Sequence, residues 1–336
     1  MKKRWIIASA ILFAVAVAVV GIWLFNNRKK TEKAPEYVLM YAENQSANYP
    51  TTLGGEKFAD LVYERTNGRI KIQIKYGAEL GSEAEAINQM KYGGIAFARV
   101  SVSQLAEKIP EMNVLLLPYL YDDSAHMWRV LEGEIGDEFL KKTENYNLVG
   151  LSWYDAGARN FYSADKPITS VEDCAGMNIR VQESAIMADM ISALGANPIE
   201  VVYSDVYSAL EQGIVDAAEN NWPSYESMNH YKVAKYYTID EHVRVPEMQI
   251  CSEYVWNMFS DSDKEIIKEC AKESAEYERK LWIQREERSK KKAIDSGTQV
   301  TTLSPEEKKK FRDAMSDVYV KYCGDEMDLI NKIINY

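Results

Sequence analysis

Residues 86–100 read "AINQMKYGGIAFARV", and residues 207–221 read "YSALEQGIVDAAENN". Each stretch runs from an amphipathic helix through a glycine to a short apolar strand and ends in a polar cluster. Gly93 and Gly213 suit the left-handed position that closes a helix, where a Cβ is costly. Finding the unit twice points to two α/β lobes. In open α/β sheets the ligand lies beyond the carboxyl ends of the strands. That rule directs Arg99 in the first unit, and Glu219 and Asn220 in the second, to a crevice with one set of polar groups per lobe.

The flanking segments extend the pattern. "YVLMYAEN" (37–44) reads as a strand ending in polar residues, and the stripe Leu53, Phe58, Leu61 and Val62 marks a helix. "GRIKIQIKY" (68–76) alternates strictly, the signature of a half-buried strand. Strand, helix, strand opens an α/β lobe. "MNIRVQES" (177–184) is a further strand with Arg180 and Gln182 on one face, and Arg180 immediately precedes a strand-to-helix junction. In "WYDAGARNFYS" (153–163), Arg159 follows Gly157 and Ala158 and is flanked by Trp153, Tyr154, Phe161 and Tyr162. A planar guanidinium beside small residues and aromatic rings is a candidate anion receptor, since it matches a carboxylate bidentately and stacks on rings.

From Asp263 to about Ala293 the chain lacks Gly and Pro and is rich in Glu, Lys, Arg and Ala, which predicts one long helix. Its apolar positions, Ile267, Ala271, Ala275 and Trp282, are too sparse for a coiled-coil seam; a helix draped across two lobes accounts for them. "SPEE" at 304–307 is a capping box with proline at the first helical position, and Met315, Val318, Tyr319 and Tyr322 mark a last helix that needs a lobe to pack on.

The formal charge is −11, and the six basic and no acidic side chains of the first thirty residues leave −17 on the rest. Nucleic acid is not an expected partner of so acidic a body. Trp5 to Phe25 is an uncharged apolar run, long enough to span a bilayer, and reads as an uncleaved membrane helix or an export signal. The four cysteines, Cys174, Cys251, Cys270 and Cys323, have no metal-ligand spacing and are expected as buried thiols, although an even count permits disulfides. No metal and no cofactor is expected.

Taken in order, "FADLVYERTNGRIKIQI" (58–74), "AELGSE" (78–83), "LPYLYDD" (117–123), "GMNIRVQES" (176–184), "ALGANPIEVVYSDVYSALEQGIVDAAEN" (193–220) and "YTIDEH" (237–242) resemble the solute-binding proteins of tripartite ATP-independent periplasmic (TRAP) transporters, of the dicarboxylate-binding type. The resemblance implies a two-lobed α/β periplasmic-binding-protein-like fold with a long helix crossing both lobes, preceded here by an N-terminal membrane helix. It implies a monomer that closes on an organic acid and passes it to a TRAP permease on the extracytoplasmic face of the membrane. The expected division is an anchor and linker over 1–35, a first lobe from 36–156 and 246–285, and a second from 157–245 and 286–336. By the same resemblance Arg180 is the carboxylate-clamping arginine, Arg159 the second arginine, and Asn220 an asparagine that reaches the same carboxylate. "AENQ" (42–45), "ARVS" (98–101), "WYDAGARNFYS" and "AENNWPSY" (218–225) look like the branch that binds hexuronates such as glucuronate and galacturonate. A sugar acid needs a carboxylate clamp, groups for several hydroxyls and a flat apolar face. Arg180 and Arg159, then Glu43, Asn44, Arg99 and Glu219, then Trp222 are the candidates for these three tasks, and Gln182, on the face of Arg180, is a further ligand-binding candidate. Alternative ligands are a dicarboxylate, a keto acid or sialic acid. The competing class is a sugar-acid-cleaving enzyme using two carboxylates among Glu43, Asp155, Glu183 and Glu219.

Overall fold

The computed structural model describes residues 34–336, and the apolar run Trp5–Phe25 lies outside the described residues. Among the described residues no helix is long and apolar enough to cross a membrane.

Eleven strands among the described residues form two sheets. The first has the order β2-β1-β3-β10-β4, with β1 at Tyr37–Ala42, β2 at Ile70–Lys75, β3 at Phe97–Ser101, β4 at Leu148–Tyr154 and β10 at Glu247–Ser252. The second has the order β11-β9-β5-β8-β6-β7, from β5 (Ala158–Ser163), β6 (Asn178–Val181), β7 (Asn197–Glu200), β8 (Ala217–Asn220), β9 (Tyr236–Arg244) and β11 (Gln299–Thr302). β1, β2 and β3 run parallel, as do β6, β7 and β8. The two repeated stretches therefore end in equivalent strands, β3 and β8. Gly93 (φ +74°) and Gly213 (φ +68°) both take the left-handed conformation before them.

The chain passes between the sheets three times: over residues 155–157 from β4 to β5, at Val245 and Pro246 from β9 to β10, and along one long helix, Asp261–Asp295. The first crossing contains Gly157 at φ +61°, and a Cβ there would lie 2.8 Å from Glu286 Oε1 and 3.0 Å from Trp282 Nε1. Glycine is required on both counts. The long helix packs on the Pro50–Arg65 helix and β4 of the first half, then on the Trp222–Ser227 helix of the second. Its buried stripe includes Ser274, Glu278, Arg285 and Ser289 beside Ile267, Ala271, Ala275 and Trp282, which explains why its apolar positions are sparse.

The C-terminal segment contacts both halves. The Ser316–Cys323 helix lies against the Ala185–Ala193 helix and the Pro110–Leu116 turn, and His126 Nε2 donates to the Ile333 carbonyl at 2.8 Å. The four cysteines are buried and unpaired.

Candidate functional site

Between the sheets lies a cleft of about 750 Å³, reached by the carboxyl ends of β1, β3, β6 and β8. Of the nine residues singled out in the sequence, it is lined by Asn44, Arg99, Arg159, Arg180, Gln182 and Asn220. Glu43, Glu219 and Trp222 are not in its wall.

Arg180 lies one residue before the end of β6 and is 2% exposed. Its Nε and Nη2 donate to a single carbonyl, that of Val201, at 2.9 and 2.7 Å, and Nη1 has no partner. Burial lowers its pKa, and Arg159 lowers it further. A buried guanidinium without a carboxylate is costly, so an anion entering the cleft gains the interaction that the protein itself withholds.

Arg159 is held differently. Its Nη2 donates to Glu219 Oε1 and to the Glu219 carbonyl, both at 2.8 Å, its Nε donates to Glu219 Oε2, and its Nη1 donates to Asn220 Oδ1 at 3.3 Å. Behind Glu219 stands His242, whose Nε2 is 3.5 Å from Glu219 Oε2 and whose Nδ1 is 2.8 Å from Asp240 Oδ2. Burial pushes the Glu219 pKa up, but Arg159 and His242 outweigh it and hold the carboxyl at about 2. Burial likewise disfavours charge on His242, yet Asp240 and Glu219 raise it to about 9. Glu219, expected to read ligand hydroxyls, is thus the counter-ion of Arg159. The expected aromatic cradle is also absent: among the described residues no cation–π contact involves Arg159, and its neighbour Phe161 stacks instead on His242 at 4.5 Å.

Arg99, in the middle of β3, spends every N–H on protein. Nε and Nη2 bind Glu43, Nη2 also binds Asn44, and Nη1 donates to Glu83 Oε1 at 2.5 Å and Glu247 Oε2 at 2.8 Å. It has no donor left for a ligand. What it does is gather three carboxyl groups around one cation. Burial raises Glu247 to about 8, against the pull of Arg99, and also raises Glu83. Both line the cleft, and a protonated carboxyl can donate to a hydroxyl as well as accept from one. Neither was singled out in the sequence. Glu83 follows the N-cap Ser82 and reads there as a first-turn acid, and Glu247 meets Arg99 only because β10 runs antiparallel beside β3.

Trp222 is 5% exposed and stacks on Tyr237 at 3.6 Å within an aromatic core, so it offers no face to the cleft. The apolar wall is supplied instead by Tyr49, Trp282 and Val202. Asp155 and Glu183, weighed as catalytic acids, are also placed apart: Glu183 lines the cleft but Asp155 does not. Asp155 is tied to Trp128 Nε1 at 3.1 Å and to the Gly157 amide at 2.8 Å. Among the described residues no group of three or more His, Cys, Asp or Glu is placed to hold a metal.

Several hydrogen bonds join the two halves around the cleft. Tyr203 O–H donates to Gln45 Oε1 at 3.1 Å, Ser103 O–H to Gln182 Oε1 at 2.7 Å and Gln104 Nε2 to the Glu183 carbonyl at 3.0 Å; Tyr49 Oη and Ser224 Oγ are 3.0 Å apart.

Residues 41–325 match the family model described as bacterial extracellular solute-binding protein, family 7. Among solved structures, a TRAP periplasmic solute-binding protein from Bradyrhizobium sp. BTAi1 in complex with galacturonate is 40% identical, with a TM-score of 0.86 over 89% of this chain and 99% of the other. One from Pseudomonas putida F1 with bound D-glucuronate is 36% identical, with a TM-score of 0.86 over 88% and 96%. One from Sulfurospirillum deleyianum with bound succinate is 32% identical, with a TM-score of 0.83 over 89% and 98%.

Proposed function

The chain belongs to the bacterial extracellular solute-binding protein family 7, and from that premise we propose that it captures a hexuronate, glucuronate or galacturonate, and delivers it to a TRAP permease. The observation that carries this reading is the polarity of the cleft. At one end is Arg180, a buried cation with an unpartnered Nη1; at the other, Glu83 and Glu247 share a single arginine that is already saturated. A ligand that fits this pattern has one carboxylate and a hydroxylated body. The carboxylate lies on Arg180, with Gln182, Asn220 and Arg159 beside it, and Glu83, Glu247 and Asn44 take the hydroxyls. Tyr49 and Trp282 cover the ring.

A short dicarboxylate such as succinate fits poorly. Its second carboxylate would meet Glu83 and Glu247 beside an arginine whose every N–H is already taken, and a buried charge would be left without a partner. Binding rather than turnover is the reading we favour: Glu83 and Glu247, the acids placed to meet the sugar hydroxyls, are tied to Arg99. The run Trp5–Phe25 would tether the protein at the extracytoplasmic face. A thermal-shift screen tests the reading, because a ligand that binds only the native state raises its melting temperature. Glucuronate or galacturonate should give the largest rise and be recovered unchanged; a screen won by succinate, or one that yields a cleaved product, rejects it.

A further inference from the structure

The cleft is larger than the ligand assigned to it. Its volume is about 750 Å³ with the hydrogen bonds between the halves made. A hexuronate has about thirteen non-hydrogen atoms, and even at the roughly 30 Å³ that liquid water allots each molecule it fills only about 400 Å³. On the same generous scale the cleft holds roughly 25 such atoms, the size of a disaccharide.

The solvent-facing part of the cleft wall, its mouth, is made of small side chains: Ser46, Gly77 and Ser204 are exposed, and Ala78 and Ser227 half-buried. Val202 and Met228 beside them are half-buried, giving an apolar surface next to hydroxyl groups. That combination suits a sugar ring, which has an apolar face and a polar edge. The basic residues of the cleft wall are Arg99, Arg159 and Arg180; the first two are bound to glutamates, and the wall's other titratable groups include the acids Glu83, Glu85, Glu183 and Glu247. A second carboxylate would find no cation to receive it.

We propose that the cleft takes a disaccharide built from one uronate and one neutral sugar, the uronate carboxylate on Arg180 and the neutral ring in the mouth. The inference rests on the uronate reading above and extends it from a monosaccharide to a uronide. Both rings lie within one binding event: the inner ring keeps the carboxylate on Arg180 and its non-anomeric hydroxyls on the acidic end, its anomeric oxygen becomes the bridge, and the outer ring displaces water from the mouth.

Calorimetric titration of the protein with D-glucuronate, D-galacturonate, β-D-glucuronosyl-1,4-D-glucose and digalacturonate tests this. The glucuronosyl-glucose should bind at least as tightly as the better monosaccharide, and digalacturonate at least about tenfold more weakly than glucuronosyl-glucose. Ser46→Trp, which fills the mouth without touching the anion end, should weaken the disaccharide at least about tenfold and leave the monosaccharide within about threefold. Tight monosaccharide binding with no detectable glucuronosyl-glucose binding overturns the inference and leaves the uronate reading standing. Failure of all four ligands overturns both. If digalacturonate equals glucuronosyl-glucose, or Ser46→Trp affects both ligand sizes alike, the place given to the neutral ring is wrong.

Discussion

Arg159 and Arg180 face one cleft with opposite electrostatic situations, and this separates the effects of removing them. Arg159 neutralises Glu219, which is wholly buried, so Arg159→Ala leaves a carboxylate with His242 alone and should destabilise the fold by about 3–5 kcal/mol. Arg180 neutralises nothing. Arg180→Ala should leave the melting temperature unchanged or raise it, while lowering affinity by about 2–5 kcal/mol, roughly 30-fold to several-thousand-fold. Arg180→Lys should bind nearly as poorly, because an ammonium lacks the fork. Melting curves and titrations on the two alanine variants check the contrast, and equal melting temperatures for both would refute it. The same groups fix the pH profile. Glu219 is held at about 2 from an ordinary 4.5, so its stabilisation is complete above about 4.5 and is lost as pH falls toward 2. His242 is raised to about 9 from 6.5, so its share is complete below about 6.5 and is lost as pH rises through 9. Burial raises Glu247 to about 8 and Glu286 to about 7, so ionising them removes stability as pH climbs from about 4.5. Melting temperatures should peak near about pH 5 and fall toward both 2.5 and 9; a maximum at about pH 8 or above would contradict these assignments. At this scale the sequence carries Arg180, Gln182 and Asn220, because strand ends point at the crevice. It does not carry Glu219 as a counter-ion or Glu247 as a cleft acid, because each gains its role from a partner on a distant strand. Nor does it say which side of β8 the Trp222 ring takes.

Strands and helices are the most legible scale, since periods of 2 and 3.6 are local properties. The alternation in "GRIKIQIKY" becomes β2, with Ile70 and Ile72 buried, and the glycine-closed repeats become β3 and β8 with the helices before them. Less legible is β10, whose place between β3 and β4 is set by register with residues about 100 to 150 positions away. The long helix is legible in length, and only the structure shows that serines, glutamate and arginine share its buried face. Its contact with the Pro50–Arg65 helix turns on Gly54, where a Cβ would lie 2.8 Å from the Tyr154 ring and 2.9 Å from Glu278 Cβ. Gly54→Val should therefore push the helices apart and cost about 1–3 kcal/mol, read as a lower denaturant midpoint; an unchanged midpoint would show that the contact yields freely.

Over the whole molecule, the chain crosses between two sheet-built halves at residues 155–157, at Val245–Pro246 and along the long helix, and these crossings are where a closing motion would hinge. The bonds Tyr203–Gln45, Ser103–Gln182 and Gln104–Glu183 hold the halves together around the cleft. Ligand that reaches Arg180 on one side and Glu247 on the other adds to these bonds, and closure removes competing water. Small-angle scattering should show a smaller radius of gyration with saturating uronate, and no change would argue against closure. A cleft cationic at one end and acidic at the other should select a polyhydroxylated monoanion. Titration calorimetry of the protein with D-galacturonate, D-glucuronate and succinate under one buffer tests it most directly. A uronate should bind at least about 100-fold more tightly than succinate, a difference of about 2.7 kcal/mol; succinate affinity equal to or above that of both uronates would contradict the account.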